Sequence, residues 1–356
     1  MKKMSKRVSS IILASLVLTL GVSGGHAKSD KDDKKKEQKT LTVSTFDEEL
    51  YRKDIFKPFE KKYNVKIVCE FGNNFERLNK LKSGDSKSDV ALFTDYYAMQ
   101  GVEEGLFEKV NRKNIPNINN LYSMAKTPLG KDYGPAYAVS SFGMIYNGDK
   151  IKEPIVSWGD LWKPEFKNRV TMPHITTSAG PIMLFIAAEQ ANVDIKKNED
   201  KVFEKMKELS ENVIKFDKDA TETINMFTMG EVDILGGYSF ERETITENVP
   251  ATKWVDPKEG SYAIIDTVNI VKGTKNKELA EKFIDWILSE EVQKNQALNK
   301  LDSPTNKKVK LTPEEAEGLI YGKKAIESLN TLDWKYVNKS LERWIERWNK
   351  EIGTTK

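Results

Sequence analysis

The stretch HITTSAGP at residues 174–181 sets three hydroxyls, Thr176, Thr177 and Ser178, immediately before a segment that reads as a helix. Hydroxyls and free backbone N–H groups at a helix start favour an anion such as a phosphate or carboxylate. The same hydroxyls serve equally well as helix caps, and the sequence leaves both uses open. Asp266 points to other chemistry. It interrupts the apolar run of residues 261–271, and a carboxylate inside an apolar strand is costly unless something compensates it. A ligand or hinge role follows. With Asp95 and Tyr96, which close another apolar run, it makes a set of acids and rings at strand ends. Such a set suits an amine-bearing solute, because a desolvated cation needs an opposite charge or a π face nearby.

Covalent and metal chemistry has little to work with. The chain has two histidines, His26 and His174, and one cysteine, Cys69. A single thiol cannot close an internal disulfide, and Cys69 lies in the alternation of residues 66–71, where it reads as a buried strand residue. No phosphate loop, paired-cysteine metal motif or nucleophile elbow appears. No catalytic residue, metal or cofactor is therefore expected. Carboxylates are abundant, so a secreted hydrolase working through glutamate stays open as the reading from another class.

These groups need a scaffold, and the chain supplies a regular one. Residues 41–46, 65–71 and 89–93 read as strands, and 54–63, 75–83 and 96–105 as helices. Strands interleaved with helices predict an α/β protein with a parallel sheet covered on both faces. Residues 135–146 and 261–271 are β-rich runs long enough to cross between two lobes. Between them, strands at 169–172, 213–216 and 232–236 and helices at 158–161, 179–192, 198–212 and 220–229 form a second lobe inserted into the first. Helices at 278–288 and 290–299 return to the first lobe, and residues 314–349 are helical by composition. Trp344 and Trp348 stand four apart on one helical face, the spacing of a helix packed on a lobe. In open α/β sheets, ligands sit beyond the carboxyl ends of the strands. That rule selects residues 44–48, 72–75, 94–97, 173–180, 236–240 and 264–267.

The N-terminus combines Lys2, Lys3, Lys6 and Arg7 with an apolar run at 11–20 and small residues at Gly24, Gly25 and Ala27. This order reads as a secretory signal peptide cleaved after Ala27. The run is shorter than the roughly 20 apolar residues of a membrane helix. No cysteine stands near the junction to carry a lipid, which places the expected product in the periplasm. Residues 28–39 are almost wholly charged or polar and read as a disordered leader. Against 57 basic residues the chain has 54 acidic ones. Four of the basic residues fall in the first 27, so the remainder is close to neutral and no nucleic-acid partner is expected. The remaining length exceeds what one core usually serves, and two lobes are the expectation.

Three stretches resemble the family of spermidine- and putrescine-binding proteins and their relatives among ABC-importer receptors. They are LFTDYYAMQGVEEGLFEKV at 92–110, WGDLWKPEFKNRV at 158–170 and PKEGSYAIIDTVNIVKGTKNKELAEKFIDWIL at 257–288. The resemblance implies the type II periplasmic binding protein fold: two α/β lobes, crossover strands and a ligand cleft that closes by a hinge. Lobe 1 is then expected at 40–137 and 267–300, lobe 2 at 138–266, and a helical segment packing on the lobes at 301–356. The implied partners are a small-molecule solute, an ABC permease and its ATPase subunit, with the receptor itself a monomer. Carried over position by position, the resemblance implies ligand contacts at Phe46, Asp47, Thr94, Tyr96, Tyr238 and Asp266. Asp95, Thr176, Thr177 and Ser178 complete the candidate set.

Two departures bear on the ligand. Ile264 stands where the family has a crossover tryptophan, and HITTSAGP stands where it has a second-lobe acidic pair. Receptors for phosphonates, sugar phosphates, thiamine or ferric iron share the fold and remain alternatives. The adjacent Tyr96 and Tyr97 are the feature an iron receptor would need, although such receptors carry the pair in the second lobe. Whether His174 and Tyr97 touch ligand is open at this point.

Overall fold

The computed structural model describes residues 38–45 and 48–353. The expected signal peptide, most of the leader, and the candidate residues Phe46 and Asp47 lie outside the described residues.

Ten strands build one mixed sheet: β1 (Lys39–Ser44), β2 (Val65–Glu70), β3 (Val90–Thr94), β4 (Ala136–Asn147), β5 (Val170–Pro173), β6 (Val213–Asp217), β7 (Ile234–Tyr238), β8 (Thr252–Val255), β9 (Tyr262–Ile270) and β10 (Ser303–Pro304). Their spatial order is β2-β1-β3-β9-β4-β7-β5-β6, with β8 and β10 pairing on β4. At one end β2, β1 and β3 run parallel. At the other, β7, β5 and β6 do the same. Two long strands join these ends. The first part of β4 pairs antiparallel with β9 and its last part with β7 and β8. β9 in turn leaves β4 to pair with β3. Each crossover strand therefore belongs to both halves.

Burial follows position in the sheet. The interior strand β3, VALFT, is buried at its first four residues, whereas β2 begins by alternating buried and exposed residues. A strand covered on both faces reads as a continuous apolar run, and one with an open face alternates. Side-chain caps start several of the helices that flank the sheet. Asn73 and Glu76 form a capping box at Asn74–Ser83, in which each side chain satisfies a backbone N–H that the first turn leaves unpaired.

Two cores result. Beneath β1 and β3, Phe56, Phe59, Phe283 and Trp286 gather with Leu41, Val43 and Val90. The other collects Phe142, Trp158, Met172, Ile182, Phe203 and Ile264, and receives Trp334, Trp344 and Trp348 from the C-terminal helix Trp334–Glu351. Asp333 caps that helix by accepting from Tyr336 N.

The tail differs from its expected shape. Residues 314–349 are not one helical stretch: helices at Pro313–Ala316 and Lys323–Glu327 precede the long one. Gly318 and Gly322 between them take φ of 79° and 88°, a left-handed geometry that interrupts a helix and that glycine adopts without strain. Strands β8 and β10 and the helix Arg242–Asn248 are additions to the sequence expectation. No helix among the described residues is long and apolar enough to cross a membrane.

Candidate ligand cleft

Asp266 lies on β9 directly opposite Thr94 of β3 on one side and Ala138 of β4 on the other. Ala138 in turn faces Pro304 of β10. This register brings residues from the end of the chain next to the crossover, and with them Asp302. Both carboxylates line a cavity of about 460 Å³ together with Ser140, Ser239, Phe240 and Ser303. Arg242, Glu243 and Glu247 from the helix Arg242–Asn248 line it as well, opposite Lys300, Glu314 and Glu317. The volume lies in the range of small-molecule sites.

The lining is acidic and incompletely paired. Lys300 is committed, since its ammonium donates to the carbonyls of Glu315 at 2.6 Å and Glu317 at 2.7 Å. Among the described residues, Asp302 Oδ2 is buried with no hydrogen-bond partner, and so are the hydroxyls of Ser140, Ser141 and Thr94. Ser140 is only 8% exposed. Buried polar atoms in native proteins are almost always paired; of these four residues, Asp302 and Ser140 line the cavity.

Burial raises the Asp266 carboxyl to about 7, and the Arg77 charge opposes the rise. Asp302 is raised to about 8 by burial and by the charge of Asp266, with a hydrogen bond from Tyr51 acting the other way. Asp95 is raised to about 7, first by burial. All three bind protons more tightly in the folded chain than in the unfolded one. From about pH 4 upward the unfolded chain has released protons that the fold retains, so stability falls as pH rises from about 4 through about 8. The melting temperature of the ligand-free protein is expected to drop across this window. Asp302→Asn should make the drop shallower; an unchanged slope in differential scanning calorimetry would contradict the assignment.

Of the other candidates, Asp95 is 4% exposed and accepts from Trp334 Nε1 at 2.6 Å and from Tyr96 N at 3.0 Å. Tyr96 is 3% exposed and packs between Tyr97 at 4.6 Å and Trp334 at 5.3 Å. Asp95 stands near enough to Asp266 for the two charges to oppose each other, but neither it nor Tyr96 lines the cavity; both pack against the C-terminal helix. Thr177 Oγ1 donates to His174 O and accepts from Gly180 N, and Thr176 Oγ1 bonds His174 Nδ1 at 2.8 Å. The expected anion cradle is thus a closed turn in which the hydroxyls bond their own neighbours, and neither they nor Ser178 line the cavity. His174 is buried against Trp348, and burial lowers it to about 4, which keeps its ring neutral. Tyr238 stacks on the exposed Phe240 at 5.3 Å, and Phe240 rather than Tyr238 reaches the cavity. Among the described residues, no group of three or more histidine, cysteine, aspartate or glutamate side chains is placed to hold a metal.

Sequence reasoning missed Asp302, Ser140 and the acidic rim. Asp302 sits between the helix Glu290–Leu298 and β10, and no local pattern marks it; the pairing of β10 with β4 brings it to Asp266. Ser140 carried a faint signal as a polar residue in the middle of an apolar crossover strand.

A description of bacterial extracellular solute-binding proteins matches residues 85–340, most of the chain. The chain belongs to that family. An ABC transporter structure from Clostridium perfringens is 39% identical to this solute-binding protein, with a TM-score of 0.80 over 88% of this chain and 100% of the other. The spermidine/putrescine-binding periplasmic protein of Salmonella typhimurium is 28% identical over 298 residues, 82% of each chain. The substrate-binding protein PotD from Streptococcus pneumoniae, 22% identical, superimposes with a TM-score of 0.71 over 87% of this chain and 98% of that one. The solute-binding protein thus has the two-lobed type II periplasmic binding protein fold, and the shared β4 and β9 are its crossovers.

Proposed function

We propose that this solute-binding protein is the extracytoplasmic receptor of an ABC importer, and that its cleft takes an amine-bearing solute of the polyamine class. The orphaned carboxylate oxygen of Asp302, set beside Asp266 in the 460 Å³ cavity, carries the reading. A buried carboxyl oxygen without a partner is costly until a donor or cation reaches it, and an ammonium group supplies both. The four glutamates of the rim extend the same preference outward and disfavour phosphate. The relatedness to a spermidine/putrescine-binding protein supports this choice over the phosphonate, sugar-phosphate, thiamine and iron alternatives. The receptor acts by capture and release, with the lobes at 40–137 with 267–300 and at 138–266 closing on the solute. It then docks on a membrane permease driven by its ATPase. In this reading residues 1–27 are its export signal, the periplasm is its compartment, and the receptor is a monomer.

Calorimetric titration with putrescine and spermidine tests this. One of them should bind saturably at one site per chain, while inorganic phosphate and a sugar phosphate give no heat. Silence with both amines, or binding of the phosphates alone, sinks the polyamine reading.

A further inference from the structure

The helix Trp334–Glu351 touches both halves of the sheet at the carboxyl ends of their strands. Toward its own C-terminus it is rooted in the second half. Trp348 packs on Phe216 near the end of β6 at 4.8 Å and on His174 just beyond β5 at 5.7 Å. Polar contacts hold the same attachment: Arg343 Nε donates to Glu199 at 3.1 Å, Arg347 pairs with Asp200 at 3.0 Å, and Asp333 pairs with Lys196 at 3.0 Å.

The first turns of the same helix reach the other half. Trp334 Nε1 donates to Asp95 Oδ2 at 2.6 Å, the Trp334 ring lies 5.3 Å from that of Tyr96, and Asn338 Nδ2 donates to Glu103 at 3.4 Å. Asp95, Tyr96 and Glu103 all belong to the helix Asp95–Glu103, which begins directly after β3. The last residue of β3, Thr94, stands opposite Asp266. Trp334 is 5% and Asp95 4% exposed, so little water competes for their hydrogen bond. Lobes that turn about β4 and β9 part at the carboxyl ends of the strands, where ligands enter. A bond that joins the lobes on that side resists the parting.

We propose that Trp334 and Asp95 form a clasp between the lobes: the C-terminal helix, rooted in the second lobe, holds the first and favours the closed arrangement before any solute arrives. The proposal rests on reading the lobes as closing on a solute, but not on which solute it is.

Double electron–electron resonance between nitroxides placed by Phe75→Cys and Lys218→Cys, in a Cys69→Ser background, tests it. Both positions are exposed and follow the carboxyl ends of β2 and β6, the outermost strands of the sheet order, so their separation reports opening. Trp334→Phe keeps a ring and removes the N–H. In ligand-free protein it should raise the ratio of long to short separations by about tenfold, the worth of a hydrogen bond to a charged acceptor. Asp95→Ala cuts the bond from the other side and should do the same, and the double variant should add nothing further. Unchanged or shorter separations in both variants overturn the proposal. A contact that serves only the fold gives that result, with a lower urea midpoint and no opening.

Putrescine titration supplies a second readout. Trp334→Phe should weaken binding by about tenfold at unchanged stoichiometry, because the solute must then close the lobes itself; an unchanged affinity overturns the clasp as well. If neither putrescine nor spermidine binds the wild type, the polyamine reading fails while the separations still decide the clasp. If the separations do not respond, the polyamine reading is untouched.

Discussion

Asp266→Ala should lower spermidine or putrescine affinity by about a hundredfold or more, with loss of measurable heat in calorimetry. A carboxylate enclosed by protein and facing an ammonium group makes a charge-assisted contact, and removing one partner of a buried pair costs about 3–5 kcal/mol. At about 1.4 kcal/mol per factor of ten, roughly two to three and a half orders of magnitude follow. The measurement belongs near pH 8, because Asp266 is raised to about 7 and an ammonium ligand binds the ionised form. Acidifying to pH 6 should weaken wild-type binding in the same direction, since the solute must then displace a proton. Asp95→Asn is the control. That side chain already accepts from Trp334, so the variant should change affinity far less. Binding by Asp266→Ala within threefold of wild type would remove Asp266 from the ligand contacts.

Trp348→Ala should be the most damaging single change to stability, by about 4 kcal/mol, the usual cost of deleting a buried large aromatic. Trp348 is fully buried, lies 4.8 Å edge-on from Phe216 and 5.7 Å from His174, and belongs to the core that also holds Trp158 and Met172. Its indole N–H has no hydrogen-bond partner among the described residues, so the anchoring is by packing. Trp348→Phe should therefore recover much of the loss. Chemical denaturation with a folded baseline tests both. Equal destabilisation by Phe and Ala would show that a polar contact, not volume, holds the helix.

The scaffold was more legible than the site. Strand β3 and the crossovers β4 and β9 announce themselves because strands buried on both faces must be apolar throughout, and VALFT or YAIIDTVNI cannot easily be anything else. Asp266 stood out against that background for the same reason. Asp95 carried the same signal, an acid closing an apolar run, yet its partner is an indole from residue 334; sequence shows that a buried charge needs compensation without showing what supplies it. Thr176, Thr177 and Ser178 were ambiguous between cap and cradle, and the turn engages the Thr176 and Thr177 hydroxyls locally. Asp302 was invisible, because its importance comes from a two-residue strand, β10, whose pairing no periodicity can encode. The tail read as one helix because composition averages over Gly318 and Gly322.

The C-terminal helix has a bearing on how the chain acquires its shape. Trp344 and Trp348 complete a core whose other members begin at Tyr96, and β9 must return to β3 before the sheet is whole. Contacts between such distant segments slow folding. A growing polypeptide cannot close this core until its last residues are available. Chains truncated before Trp344 are expected to be left with an exposed apolar surface and to be cleaved faster by protease than the full chain.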